Sequence, residues 1–149
     1  MNEPLMVRRE TQVAAPPATV FAFLTDPEKM LMWMGTTEAR TELHPGGLFL
    51  LKGINGRVAR GEYREVVPVH RLAYTVGWED SEVVPPGSGL IEIDLIDREG
   101  GTLVRLTHSG LPNSEQCDGH AKGWAHYLGR LAMAAAGQDP GIDAGPRKH

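Results

Sequence analysis

One cysteine, Cys117, is all that the 149 residues contain, so the chain can form no internal disulfide and has no second thiol for a zinc or redox motif. That suits a reducing, cytoplasmic setting. No apolar run exceeds the six residues Leu131 to Ala136, against the roughly 20 that a membrane-spanning helix needs. Residues 1–10 also lack the apolar stretch of a signal peptide, and the sequence reads as soluble and unexported. An excess of basic residues is missing too: 15 Lys and Arg face 19 Asp and Glu, for a net charge of −4. Nucleic-acid binding, which wants a basic face, is therefore not expected.

What the chain does have is glycine and proline, 18 and 11 of them, and they punctuate a legible series of elements. Val7 to Val13 alternates with a period of two and reads as a strand. Ala15-Pro16-Pro17 stops it, and Pro17 suits the first position of a short helix carrying Val20, Phe21 and Leu24. Asp26 as N-cap and Pro27 behind it open a second short helix running through Met32. Paired turn residues then separate six runs, placed near Thr36 to Leu43, Leu48 to Ile54, Val58 to Val67, Arg71 to Trp78, Leu90 to Asp97 and Thr102 to Ser109. Asn55-Gly56 and Gly100-Gly101 are the clearest hairpin turns, and Asp80 to Ser88 is a longer loop. Asn113, with Gln116 three residues on, starts a long helix that ends near Ala136. One of its stripes carries Gly123, Trp124, Tyr127, Leu128, Leu131 and Ala135. Residues 1–137 make one domain, and residues 138–149, poor in apolar side chains, read as a flexible tail.

This order describes an α+β layout with helices segregated from an antiparallel sheet. A twisted seven-stranded sheet would curl around the long C-terminal helix. The residues that carry it include Ala15 to Phe21, Leu24-Thr25-Asp26-Pro27-Glu28, Trp33, Pro45-Gly46-Gly47, Gly61 to Val66, Arg71-Leu72, Gly100-Gly101-Thr102 and Gly123-Trp124 with Leu128 and Leu131. In this order they resemble the START-like (SRPBCC) helix-grip superfamily, and within it the bacterial relatives of the activator of heat-shock protein 90 ATPase. The resemblance covers residues 6–136. It implies a deep apolar pocket roofed by the long helix and no established reaction.

In a helix-grip fold, His108 at the end of the last strand and His120 near the start of the long helix would border one pocket mouth; the plainer account gives them local hydrogen bonds. His120 and His126 lie about 120° apart around a helix and cannot clamp one metal as an i, i+4 pair does. Cys117, Asp118 and His120 have no matching second cluster, so no metal and no cofactor are expected. Glu62 and Glu65 fall on opposite faces of an alternating strand, which argues against a glycosidase pair. Glu62 would either enter the pocket or, with Arg60 and Arg64, form a solvated face. Met30, Met32, Met34 and Trp33 either gate the pocket or anchor the small helices. Trp78 on the fifth strand, with Trp124 and Tyr127 on the helix, would orient an apolar guest, though Trp124 also suits a core anchor.

Three functions follow, in order of support. The first is binding of a small hydrophobic molecule, lipid-like, aromatic or polyketide-like, in a cavity between sheet and helix, with no catalysis. The second is a polyketide cyclase- or hydrolase-like enzyme in which His108, His120, Glu62 or Tyr127 moves protons. The third is a chaperone-associated interaction module, set last because 149 residues leave no room for the second domain such an activator brings. An exposed sheet edge would also allow a homodimer.

Overall fold

The computed structural model describes residues 5–54 and 56–141. Its elements are β1 (Val7–Val13), α1 (Pro17–Thr25), α2 (Pro27–Met30), β2 (Glu38–Thr41), β3 (Leu48–Ile54), β4 (Arg57–Val67), β5 (Arg71–Val76), β6 (Gly89–Arg98), β7 (Gly101–Ser109) and α3 (Ser114–Ala135). The strands form one antiparallel sheet in the order β1-β7-β6-β5-β4-β3-β2. Alternation sets its two faces: in β6, Gly89, Ile91, Ile93 and Leu95 are buried while Leu90, Glu92, Asp94 and Ile96 are only half-buried, the pattern of a sheet with one packed face. The outer face carries ion pairs. Arg71 at its centre reaches Glu65, Glu92 and Asp94 at 2.8, 2.6 and 3.0 Å.

The starts of α2 and α3 follow their caps, whereas α1 opens at Pro17 with no side-chain cap bond. Asp26 accepts from the Glu28 backbone N–H at 3.0 Å, and Asn113 from that of Gln116 at 2.9 Å, each replacing a bond that a helix N-terminus lacks. Several boundaries differ from the sequence reading, among them the end of β5, at Val76 rather than Trp78. The second helix closes at Met30 rather than Met32, passing into a turn through Trp33. β2 is four residues long, because Thr36 leaves the ladder and its hydroxyl donates to the carbonyls of Lys52 and Glu38, a local bond that competes with strand pairing. The last hairpin turns on Glu99-Gly100, with φ of +54° and +78°, and not on Gly100-Gly101. Gly101 instead opens β7, where a β-carbon would fall 2.2 Å from the Val13 carbonyl oxygen. Of the Asn55-Gly56 turn, Asn55 lies outside the described residues, as do residues 142–149 of the expected tail.

α3 packs unevenly. Its buried residues are Tyr127, Leu128, Leu131, Ala134 and Ala135, and none before Tyr127 is buried. The C-terminal half joins Val13, Val20, Phe23, Leu24, Val104 and Leu106 in the main core, where full burial of one such side chain contributes about 1.5–3 kcal/mol. Arg130 secures that end: its Nε donates to the Trp33 carbonyl at 2.9 Å, and its Nη1 and Nη2 to those of Pro140 and Gly141 at 3.2 and 3.1 Å. The N-terminal half packs along one flank only, where Cys117, Ala121 and Trp124 meet a second, smaller cluster of Val7, Val84 and Leu111.

Candidate ligand-binding cavity

Under that half lies a cavity of about 310 Å³. Its floor comes from inward positions of β3 to β6, with Phe49, Leu51, Ala59, Tyr74, Val76 and Ile91. α3 contributes Gln116, Gly119, His120, Gly123, Trp124 and Tyr127, and Met34, Trp78, Val84 and His108 complete the wall. Two features keep it open. A β-carbon added at Gly119 or Gly123 would meet nothing within 4 Å, and these positions sit one turn apart on one helix face. Across the floor, Phe49 stacks on Tyr74 at 4.1 Å and Tyr63 meets both rings edge-on, which holds the aromatic floor rigid.

The polar atoms of the wall are bonded to one another. Trp124 Nε1–H donates to His108 Nδ1 at 3.1 Å, and Trp78 Nε1–H donates to His120 Nε2 at 3.3 Å. An indole N–H can only donate, so each accepting nitrogen is unprotonated. His108 therefore carries its proton on Nε2. His120 carries its proton on Nδ1, which donates to the Gln116 carbonyl at 2.8 Å. Burial holds both rings neutral: it pushes His108 down to about 3, assisted by the nearby His120. His120 is also lowered: burial is the largest cause, its bond to the Gln116 carbonyl opposes it, and Arg57 adds a smaller lowering. Arg57 stands at the rim, its guanidinium 4.3 Å from the Trp78 ring centroid and bonded to Asp80 through Nε and Nη2 at 3.2 and 2.9 Å. Those bonds hold the Asp80 carboxyl below its usual range. Among the described residues, two sealed side-chain atoms have no partner, the Tyr63 hydroxyl and His108 Nε2.

Six of the nine residues singled out from the sequence meet here: Met34, Trp78, His108, His120, Trp124 and Tyr127. Trp78 lies beyond the end of β5, in an isolated bridge to Ala59. Met30 and Trp33 are in the core instead; Trp33 is 1% exposed and its Nε1–H donates to the Phe23 carbonyl at 2.9 Å. Met32 is exposed and borders a separate open groove beside Leu31 and Arg130. Glu62 lies on the outer face, 3.6 Å from Arg64. Glu65 shares that face, against the simple alternation, because a bulge between Tyr63 and Glu65 shifts the register and turns Glu65 toward Arg71. Among the described residues no group of three His, Cys, Asp or Glu could hold a metal. Sequence reasoning missed Arg57, since a cation beside a turn reads as solvated, and it missed the floor, whose alternation marks core positions without saying which of them face a void.

A curved seven-stranded sheet gripping a long C-terminal helix is the helix-grip architecture. The profile of the "Activator of Hsp90 ATPase homolog 1-like protein" family matches residues 14–136. The chain belongs to this family. The AHSA1-like protein of Rhizobium etli, solved by NMR, is 64% identical, with 100% of this chain covering 94% of that one at a TM-score of 0.77. More distant structures share the fold. A putative protein of the dynemicin biosynthetic locus is 24% identical, with 92% of this chain covering 49% of that one at a TM-score of 0.77. The Aha1 dimer of Colwellia psychrerythraea is 19% identical, with coverage of 93% and 98% and a TM-score of 0.76. No curated protein matches.

Proposed function

We propose that this AHSA1-like domain binds a small hydrophobic molecule, lipid-like, aromatic or polyketide-like, between sheet and α3, and does not turn it over. The cavity itself carries the reading: about 310 Å³ of space within the range of small-molecule sites, walled by apolar and aromatic side chains. The wall histidines fit binding better than proton transfer. His108, with a pKa of about 3, takes up no proton at neutral pH, where a general base should titrate near the working pH. Both nitrogens of His120 are already engaged. A chaperone partnership rests on shared fold alone, which does not carry function. The lone Cys117, half-buried and unpaired, fits the reducing cytoplasm that forms part of the proposal.

Native mass spectrometry of protein purified from its own host tests this, with released molecules identified after denaturation. A stoichiometric apolar compound is expected. A bare mass, together with no saturable binding of the apolar probe N-phenyl-1-naphthylamine, would overturn the proposal.

A further inference from the structure

We infer that the ligand of this cavity is amphipathic, with an apolar body seated on the aromatic floor and a single carboxylate held at the mouth by the Arg57 guanidinium and the Gln116 side-chain amide. The inference rests on the binding reading above and adds a polar end to it. Both residues line the cavity, and solvent reaches both: the Arg57 side chain is 38% exposed, Gln116 is half-buried, and Gly119, a turn further along α3, is exposed. A chain of contacts sets them at one opening. Arg57 lies over the Trp78 ring at 4.3 Å, Trp78 Nε1–H donates to His120 Nε2 at 3.3 Å, and His120 Nδ1–H donates to the Gln116 carbonyl at 2.8 Å. On the floor, by contrast, Phe49 and Ile91 are sealed from solvent.

Uncommitted polar groups are found at that same opening. The indole N–H groups of Trp78 and Trp124 and both nitrogens of His120 are spent on one another or on the backbone. Arg57 holds Asp80 through Nε and Nη2 at 3.2 and 2.9 Å, and its Nη1 has no partner among the described residues. Gln116 bonds Asn113 and His120 through its backbone alone, which leaves its side-chain amide free among those residues. A guanidinium has five N–H donors, and Arg71 on the outer face shows one serving several carboxylates, with Nε on Glu65, Nη2 on Glu92 and Nη1 on Asp94. Asp80 and the Trp78 ring hold the plane of Arg57, so its remaining edge is oriented before a ligand arrives. The charge pattern selects the head group. One cation shared with Asp80 suits a monoanion, whereas a phosphate, with close to two charges at neutral pH, would set the excess against Asp80. An ammonium group would meet Arg57 in the wall, while Asp80, which could attract it, does not line the cavity.

A matched pair of probes isolates the contact: 4-(1-naphthyl)butanoate and its primary amide, which keeps the shape and lacks the charge. Dissociation constants come from displacement of N-phenyl-1-naphthylamine at neutral pH, and the Arg57 Nε–H signal is followed by NMR. The acid should bind about fivefold tighter than the amide, the scale of a partly exposed ion pair, and salt should shrink that advantage. Equal affinities, or an advantage that salt leaves intact, would overturn this inference and leave the binding proposal standing; saturable binding of none of the three compounds would overturn both. Arg57→Gln should bring the affinity ratio to about one and Arg57→Lys should keep part of it, while a ratio unchanged in Arg57→Gln would overturn the assignment of the cation. If Arg57→Gln binds neither probe, the signal of the unaltered protein decides: the acid alone should shift Arg57 Nε–H, and a resonance that the acid leaves unmoved counts against the inference.

Discussion

At the scale of single residues, His108 is where the cavity wall and the stability of the fold meet. Its folded pKa of about 3 lies below the ordinary value of 6.5, so between those two pH values the unfolded chain binds a proton that the folded chain refuses. The stabilisation is complete above pH 6.5 and is lost as pH falls below it, by up to about 1.4 kcal/mol per pH unit. His120, lowered by the same burial, adds a contribution of the same sign. Urea unfolding from pH 7 down to pH 5 should show this decline, and His108→Phe should flatten it. The sequence placed both histidines at the pocket, since strand end and helix start meet there in any helix grip. It could not say which ring nitrogen is bonded, because that depends on indole positions reached through packing. Glu62 and Glu65 show another limit. Period-two reasoning assumes an unbroken ladder, and one extra residue in β4 voids it.

Among the elements, α3 has the most to say. Gly119 and Gly123 cost helix propensity, about 1 kcal/mol each relative to Ala, and in exchange leave the cavity its roof space. Gly129, on the exposed side of the same helix, costs as much and lines nothing. Gly123→Ala and Gly129→Ala should each stabilise the protein by about 0.5–1 kcal/mol, as thermal or urea unfolding will measure. The larger pair should part company. Gly123→Leu should abolish saturable binding of N-phenyl-1-naphthylamine by filling the cavity, while Gly129→Leu retains it. Helix starts were legible to the residue through Asp26 and Asn113, because a capping side chain acts within three positions. Strand ends were less so: the shortening of β2 depends on the Thr36 hydroxyl meeting the Lys52 carbonyl, a partner 16 positions away.

Taken whole, the molecule is firm at one end and hollow at the other. The C-terminal half of α3 is buried in the main core and tied down by Arg130, while the half before Tyr127 roofs the cavity and is held only along one flank by the Val7, Val84 and Leu111 cluster. Opening free energies should follow this division. Backbone amides of residues 118–123 should exchange hydrogen faster than those of 128–134, and a bound apolar probe should slow the first group most. The grip itself was readable, since one strand, two short helices, a meander and a long amphipathic helix admit few other packings. The hollow was not, because a void depends on how far a helix stands from a sheet, and periodicity carries no distance. The same asymmetry fixes how far α3 could tilt about Arg130. Counted back from Arg130, the stretch to Ser114 spans roughly 24 Å at 1.5 Å rise per residue, so a tilt of about 3° would move that end by roughly 1.3 Å. Such a tilt would lengthen the bonds from Trp124 to His108 and from Trp78 to His120, so two indole contacts, as much as the packed seam, set the height of the hollow.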